Sequence, residues 1–325
     1  MNRSLISLAL VALASGAHAE TSVTLSGDLK VSGVYGNNGT SPLDGAGAAH
    51  HWRLNDDSSY FAMSGRQDLG GGLWAGFDLA SFINVDSGGS SNPFWARHAV
   101  VQFGGGFGQI YAGRALTPSQ LTALLVDPWG WDGSIAQVGW LVQQANYSST
   151  EFIRTANTIG YVSPKLAGLT LSLAASAGEK THSRDLGASL AYDNGPLSLA
   201  VAYDQSHTSN DDPTLDHTLV ATASYDFGIV HPMASYTRSK VLGVGYSAYS
   251  VGLAAPVGPG TLKAAYGHLN DVDTAVAGRQ AYGKFSVGYQ YAFNKSVSLF
   301  GDVSHAKSDG NTATDNGEIG IEYGF

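Results

Sequence analysis

The chain has no cysteine in 325 residues, so no disulfide framework holds it together. Charge is scarce as well. Asp, Glu, Lys and Arg make up 13% of the residues, and the balance is acidic, with a formal net charge of −9. That balance argues against a nucleic-acid partner, which would need a basic stripe. Beyond the N-terminus, no apolar run approaches the roughly eighteen residues of a membrane-crossing helix. No Gly-x-Ser-x-Gly elbow is present, and the ten histidines show no ligand spacing. The adjacent His50 and His51 read as a polar loop pair. Gly243 to Ala248 mimics a dinucleotide-binding fingerprint, but it joins two strands and opens no helix. No metal or cofactor is expected.

What the chain does have is glycine (42 residues), tyrosine (16 residues) and alternation. The clearest case is the C-terminal run Glu318 to Phe325. Ile319, Ile321, Tyr323 and Phe325 are apolar, and Glu318, Gly320, Glu322 and Gly324 between them are charged or small. A period of two gives a strand with one greasy face and one wet face. The N-terminus has a different character. Arg3, the apolar run Leu5 to Ala14 and the small-residue motif Ala17-His18-Ala19 form an export signal, with cleavage expected before Glu20. The expected organisation is therefore a signal peptide over 1–19 and one folded unit over 20–325.

The dyad recurs along that unit. Val23, Leu25, Leu29 and Val31 share one face, against Thr24, Ser26, Asp28, Lys30 and Ser32. Leu169, Leu171 and Leu173 alternate with Thr170 and Ser172, and Leu197, Leu199, Val201 and Tyr203 repeat the pattern. Sixteen such strands are predicted, punctuated by Gly, Pro and Asn clusters. Seven connections read as tight, near Gly71, Gly105, Ala167, Gly195, Gly228, Pro259 and Lys295. Eight read as longer and polar, near Asn38, Gly88, residues 115–151, Gly178, Asp211, Gly243, Asp273 and Gly310. They alternate, short after long. Tyrosines fall near the ends of the greasy faces, where a membrane-interface girdle would lie. The prediction is an all-β chain: a 16-stranded antiparallel transmembrane up-and-down β-barrel, its greasy face toward lipid. A soluble sandwich with buried aromatics would not need the short/long regularity.

Several motifs, taken together, resemble the general-diffusion porins of Gram-negative bacteria, of the type common in β-proteobacteria. They are Ser22 to Gly27, Gly65 to Leu73, Arg97 to Val101, Phe107 to Arg114, Thr117-Pro118, Asp127 to Gly130, Arg154 to Ile159, Tyr161 to Pro164 and the terminal Phe325. Gly160 stands where the family usually has Arg, which removes one pore-wall cation, and Gln67 stands where it usually has Glu. The resemblance implies a water-filled, homotrimeric passive channel in the outer membrane, in contact with lipid and lipopolysaccharide, passing small hydrophilic solutes and ions. It also implies that the third long loop, 115–151, folds inward as a constriction. Loops of that length are uncommon without a function. Leu121, Leu124 and Leu125 at helical spacing suggest a short helix packed on the inner wall.

A constriction of this kind filters ions by fixed charges of opposite sign across a narrow gap. By parity Arg66 and Arg154 point into the lumen, with Lys30, Lys263 and Lys284. Arg97 and Arg114 match family positions for the basic wall but share a face with apolar neighbours. Either a bulge or bend re-aims them, or they lie beyond the lipid. The opposing acids would be Asp127, Asp132 and Glu151. The expectation is a weak anion preference, because acids in wide vestibules are screened over about 8–10 Å. Trp129, Trp131 and Trp140 in the loop either pack it to the wall or form a stacking track for sugars or organic acids, which would make the channel substrate-specific. An outer-membrane enzyme and an adhesin or receptor are the remaining alternatives.

Overall fold

The computed structural model describes residues 22–37, 50–130, 134–139, 153–177, 184–207, 215–241, 244–271, 282–308 and 313–325. The export signal over 1–19 lies outside them, as do Asp132, Glu151, Trp131 and Trp140. The strands are β1 (Ser22–Gly36), β2 (His51–Asp56 continued by Tyr60–Gly70), β3 (Leu73–Asn84), β4 (His98–Gly105), β5 (Gly108–Leu116), β6 (Arg154–Val162), β7 (Leu169–Ser176) and β8 (Leu186–Asn194). They continue as β9 (Leu197–His207), β10 (Leu215–Tyr225), β11 (His231–Val241), β12 (Val244–Val257), β13 (Gly260–Asp271), β14 (Tyr282–Ala292), β15 (Val297–Ser308) and β16 (Thr314–Gly324). Every neighbouring pair is antiparallel, and β1 pairs with β16, Leu29 opposite Tyr323, so the sheet closes on itself. The sixteen predicted strands are the sixteen staves of this barrel.

The two segments of β2 are one stave. Both pair with β1, Val34 opposite Arg53 and Leu25 opposite Met63. Residues 57–59 bulge between them, pinned to the backbone of Lys30, whose N–H donates to Ser59 Oγ at 2.8 Å. A two-residue strand, Gly89–Ser90, folds back on the end of β3 and belongs to a loop.

The inside and outside of this molecule are exchanged relative to a soluble protein. Leu171, Leu190, Val201, Val251, Leu299 and Ile319 are exposed on the outer face, while Thr218, Thr222, Ser235, Thr237, Ser286 and Ser304 are buried inside. Closing the sheet leaves no backbone edge to face lipid. Aromatics gather at both rims of the greasy band. On the tight-turn side Tyr225 meets Phe227, Tyr291 meets Phe293 and Tyr323 stacks on Phe325. On the loop side Tyr35 meets Trp52 and Tyr249 meets Tyr266.

One connection departs from expectation. The longer loop expected near Gly243 is a two-residue link, because β11 and β12 stay paired up to Val241 opposite Val244. The Gly-Val-Gly cluster there reads as a loop in sequence, yet Val244 and Gly245 already belong to β12. The tight side holds, with Gly71, Gly195, Gly228 and Gly258 all at positive φ in its turns.

Candidate functional site

The third loop leaves β5 and enters the barrel. Thr117 N donates to Ile153 O at 3.0 Å and closes its neck. Helix α1 (Pro118–Ala123) follows, with Pro118 in its first turn and Thr117 as N-cap, its Oγ1 accepting from Gln120 N at 3.3 Å. A 3₁₀ turn over Leu124–Val126 extends it. The predicted helix is there, but its faces are reversed. Pro118, Ser119, Gln120, Thr122 and Ala123 are buried against β8, β9 and β10, with Ser119 N donating to Asp204 Oδ2 at 2.8 Å. Leu121 and Leu125 are 42% and 53% exposed. The wall of this barrel is polar, so a helix docks on it with its polar face.

After α1 the loop is tied by acids, and these do not face the lumen. Asp127 is buried. Its Oδ1 accepts from Trp129 N at 2.9 Å, and its Oδ2 accepts from Val138 N at 3.0 Å and from Gly139 N. Its expected place opposite the basic wall is therefore corrected: it folds the tongue 127–139 by satisfying backbone donors that the interior would otherwise leave unpaired. Trp129 is 3% exposed and belongs to one buried cluster with the wall residues Ala248, Ala265 and Tyr282, so it holds the loop to the wall and offers no face to a solute. Sequence parity does not reach either residue, because loops have no period.

Two wall acids that sequence reading missed anchor the tongue. Asp302 on β15 and Glu318 on β16 sit directly opposite each other. Asp302 Oδ1 accepts from Trp129 Nε1 at 3.0 Å. The Ser134 hydroxyl lies between Asp302 Oδ2, at 3.2 Å, and Glu318 Oε1. Glu318 Oε1 also accepts from Ile135 N at 3.1 Å, and Oε2 accepts from Ser32 Oγ at 2.9 Å. The signal is in the sequence: Glu318 stands at a wet position of the dyad, and Asp302 precedes the outward Val303 on the adjacent strand, so both carboxylates face in. The lysines flank this anchor. Lys284 Nζ donates to Gln137 O at 2.9 Å, Lys30 lies 4.4 Å over the Phe300 ring, and Lys30 and Lys263 are electrostatic neighbours of Asp302.

The arginines gather on the other wall. Arg97 precedes β4, so strand parity does not apply to it; its guanidinium lies 4.0 Å over Tyr60 and 5.0 Å over Phe82. An arginine keeps its charge in such a site. Arg114 sits at a bulge, where the β5–β6 register shifts between Gly113 (φ 140°) and Ala115, and it stands opposite Ala99 of β4. Its Nε donates to Ala96 O at 2.8 Å, and Arg154 Nε donates to Arg97 O at 2.8 Å. Arg114 and Arg154 thus clamp the stretch 96–97 that carries Arg97. Arg66 stands apart: it is one in-facing position beyond Ser64 toward the tight turns, 4.1 Å over Trp74. Gly160, expected to remove a cation, is covered by the Tyr111 ring.

Between the arginine wall and the loop lies a lumen cavity of about 530 Å³. Arg97, His98, Arg154, Tyr60 and Phe82 line one side, and Gln120, Leu124, Gly130 and Gln137 line the other. Asp78 is the one carboxylate among its lining residues, and it belongs to the wall. Among the described residues no group of three or more His, Cys, Asp or Glu is placed to hold a metal.

Comparison with known proteins agrees with this architecture. Outer membrane porin protein 32 of Delftia acidovorans is 29% identical, over 95% of this chain and 90% of that protein. An outer membrane porin protein of Bordetella pertussis is 26% identical, over 95% of each. Among solved structures, an anion-selective porin from Comamonas acidovorans superposes with a TM-score of 0.80 at 26% identity, covering 94% of this chain and all of that one. The family model described as Gram-negative porin matches residues 7–311. The closed sixteen-stave barrel matches the porin structure, and the chain belongs to the Gram-negative porin family as an outer-membrane diffusion channel.

Proposed function

We propose that this channel prefers anions and that Arg97, Arg114 and Arg154 set the preference. The observation that supports the reading is their convergence: Arg97 and Arg154 line the lumen cavity, and Arg114 lies behind them, bonded to Ala96 O and an electrostatic neighbour of Arg154. The described part of the loop opposite presents no lumen-facing carboxylate, so the local field is positive although the chain as a whole is acidic. The anion selectivity named for the Comamonas acidovorans porin points the same way. We further propose a homotrimer as the working unit, with lipid and lipopolysaccharide around it.

Single channels in a planar bilayer under a KCl gradient test this. The reversal potential is expected to report chloride preference. Arg97→Ala and Arg154→Ala are each expected to lower the permeability ratio by roughly a factor of two to five, the effect of one unit charge across about 4–8 Å of water. Arg66→Ala, outside the cluster, is expected to change it little. Conductance in three equal steps would accord with the trimer. Cation preference indifferent to Arg97 and Arg154 would remove the site assignment and leave the fold intact.

A further inference from the structure

The inverted helix gives the constriction a second property. Leu121 and Leu125 are exposed inside the barrel and Leu124 lines the cavity, so the loop side offers an apolar strip to water. The wall side offers the Arg97 guanidinium, 4.0 Å over Tyr60, and the Arg154 guanidinium, 5.3 Å over Phe82. Charge on one side and hydrocarbon on the other is not the arrangement of a sieve for inorganic ions, which needs only the charge.

Building on the basic constriction proposed above, we propose that the cavity is a transient binding site for small organic anions with an apolar body, such as aromatic or medium-chain carboxylates. The carboxylate would meet Arg97 and Arg154, since a planar guanidinium accepts a carboxylate in bidentate fashion. The ring or alkyl chain would lie on Leu121, Leu124 and Leu125, covering apolar surface that is otherwise wet. The volume, about 530 Å³, falls within the range of small-molecule sites. Stacking on the rings of Tyr60 and Phe82 fixes Arg97 and Arg154 before the solute arrives, which lowers the ordering cost of binding. Chloride or acetate would use only the cationic half.

The test is block of KCl current by added solute. Benzoate is expected to reduce single-channel current in a concentration-dependent way at concentrations where acetate does not. In a Leu121→Ser, Leu124→Ser, Leu125→Ser variant the benzoate concentration for half-block, measured relative to that variant's own unblocked KCl current, is expected to rise by about tenfold or more. The corresponding Leu→Met variant is expected to keep the block, which separates lost apolar contact from a misfolded loop. Equal block by benzoate and acetate, or unchanged block in the serine variant, overturns the binding proposal and leaves the anion preference standing. Loss of anion preference in the parent protein itself would instead strike the basic-constriction reading.

Discussion

Glu318→Ala is expected to release the inner loop and widen the channel. Glu318 takes up donors from three places: Ser32 on the neighbouring strand, and Ser134 and the Ile135 amide on the tongue. A hydrogen bond inside a protein contributes about 0.5–1.5 kcal/mol, so losing the two to the tongue removes roughly 1–3 kcal/mol of anchorage at one point. Asp302, through Trp129 and Ser134, and Lys284, through Gln137, are then the polar ties to the tongue that remain among the described residues. The expected result is a larger and noisier single-channel conductance, with the barrel itself intact. Glu318→Gln keeps an amide oxygen that accepts from Ile135 N and is expected to fall between Glu318→Ala and the parent. Conductance and noise equal to the parent in Glu318→Ala would mean that the tongue is fixed elsewhere.

The second large effect concerns the outer face. Leu190 lies mid-strand on β8, opposite Leu171 and Val201, in the middle of the greasy band. Leu190→Arg is expected to cost about 2–4 kcal/mol of folding stability in lipid, the depth-dependent cost of a cation near the bilayer midplane. Ser189→Arg, one residue away and facing the aqueous interior, is expected to cost much less. Urea titration of folding into phospholipid vesicles measures both. Equal costs would mean that the exposed leucines do not meet hydrocarbon.

The alternation that makes Leu190 a lipid-facing residue is what made the barrel legible from sequence. Strand count, the tight turns and the side of each wall residue follow from a period of two, and Arg154, Lys30, Lys263 and Lys284 fall inside as parity requires. Legibility ended wherever the period was interrupted. Arg97 lies before its strand, Arg114 sits at a bulge beside Gly113, and the connection near Gly243 reads as longer than two residues because Val244 and Gly245, which look like loop, already pair with β11. Inside the loop no periodicity constrains the reading. Asp127 looked like a constriction acid and is a backbone clamp. The three leucines suggested packing on the wall, on the assumption that a helix buries its greasy side, which fails where the wall is made of Ser, Thr, Asp and Glu.

Ring closure has a consequence for assembly. Gly27 N donates to Phe325 O at 3.0 Å, and Phe325 N donates to Gly27 O at 3.1 Å, so the first stave is sealed by the final residue. The same last stave carries Glu318, the anchor of the tongue. Until it arrives, β1 and β15 are open edges and the tongue lacks half its mooring. Pore and wall are therefore completed in one event rather than in sequence: a nascent barrel still short of β16 is at once unsealed and ungated. Contacts between the two ends of the chain are the slowest kind to make, and here they are the ones that turn a curved sheet into a channel.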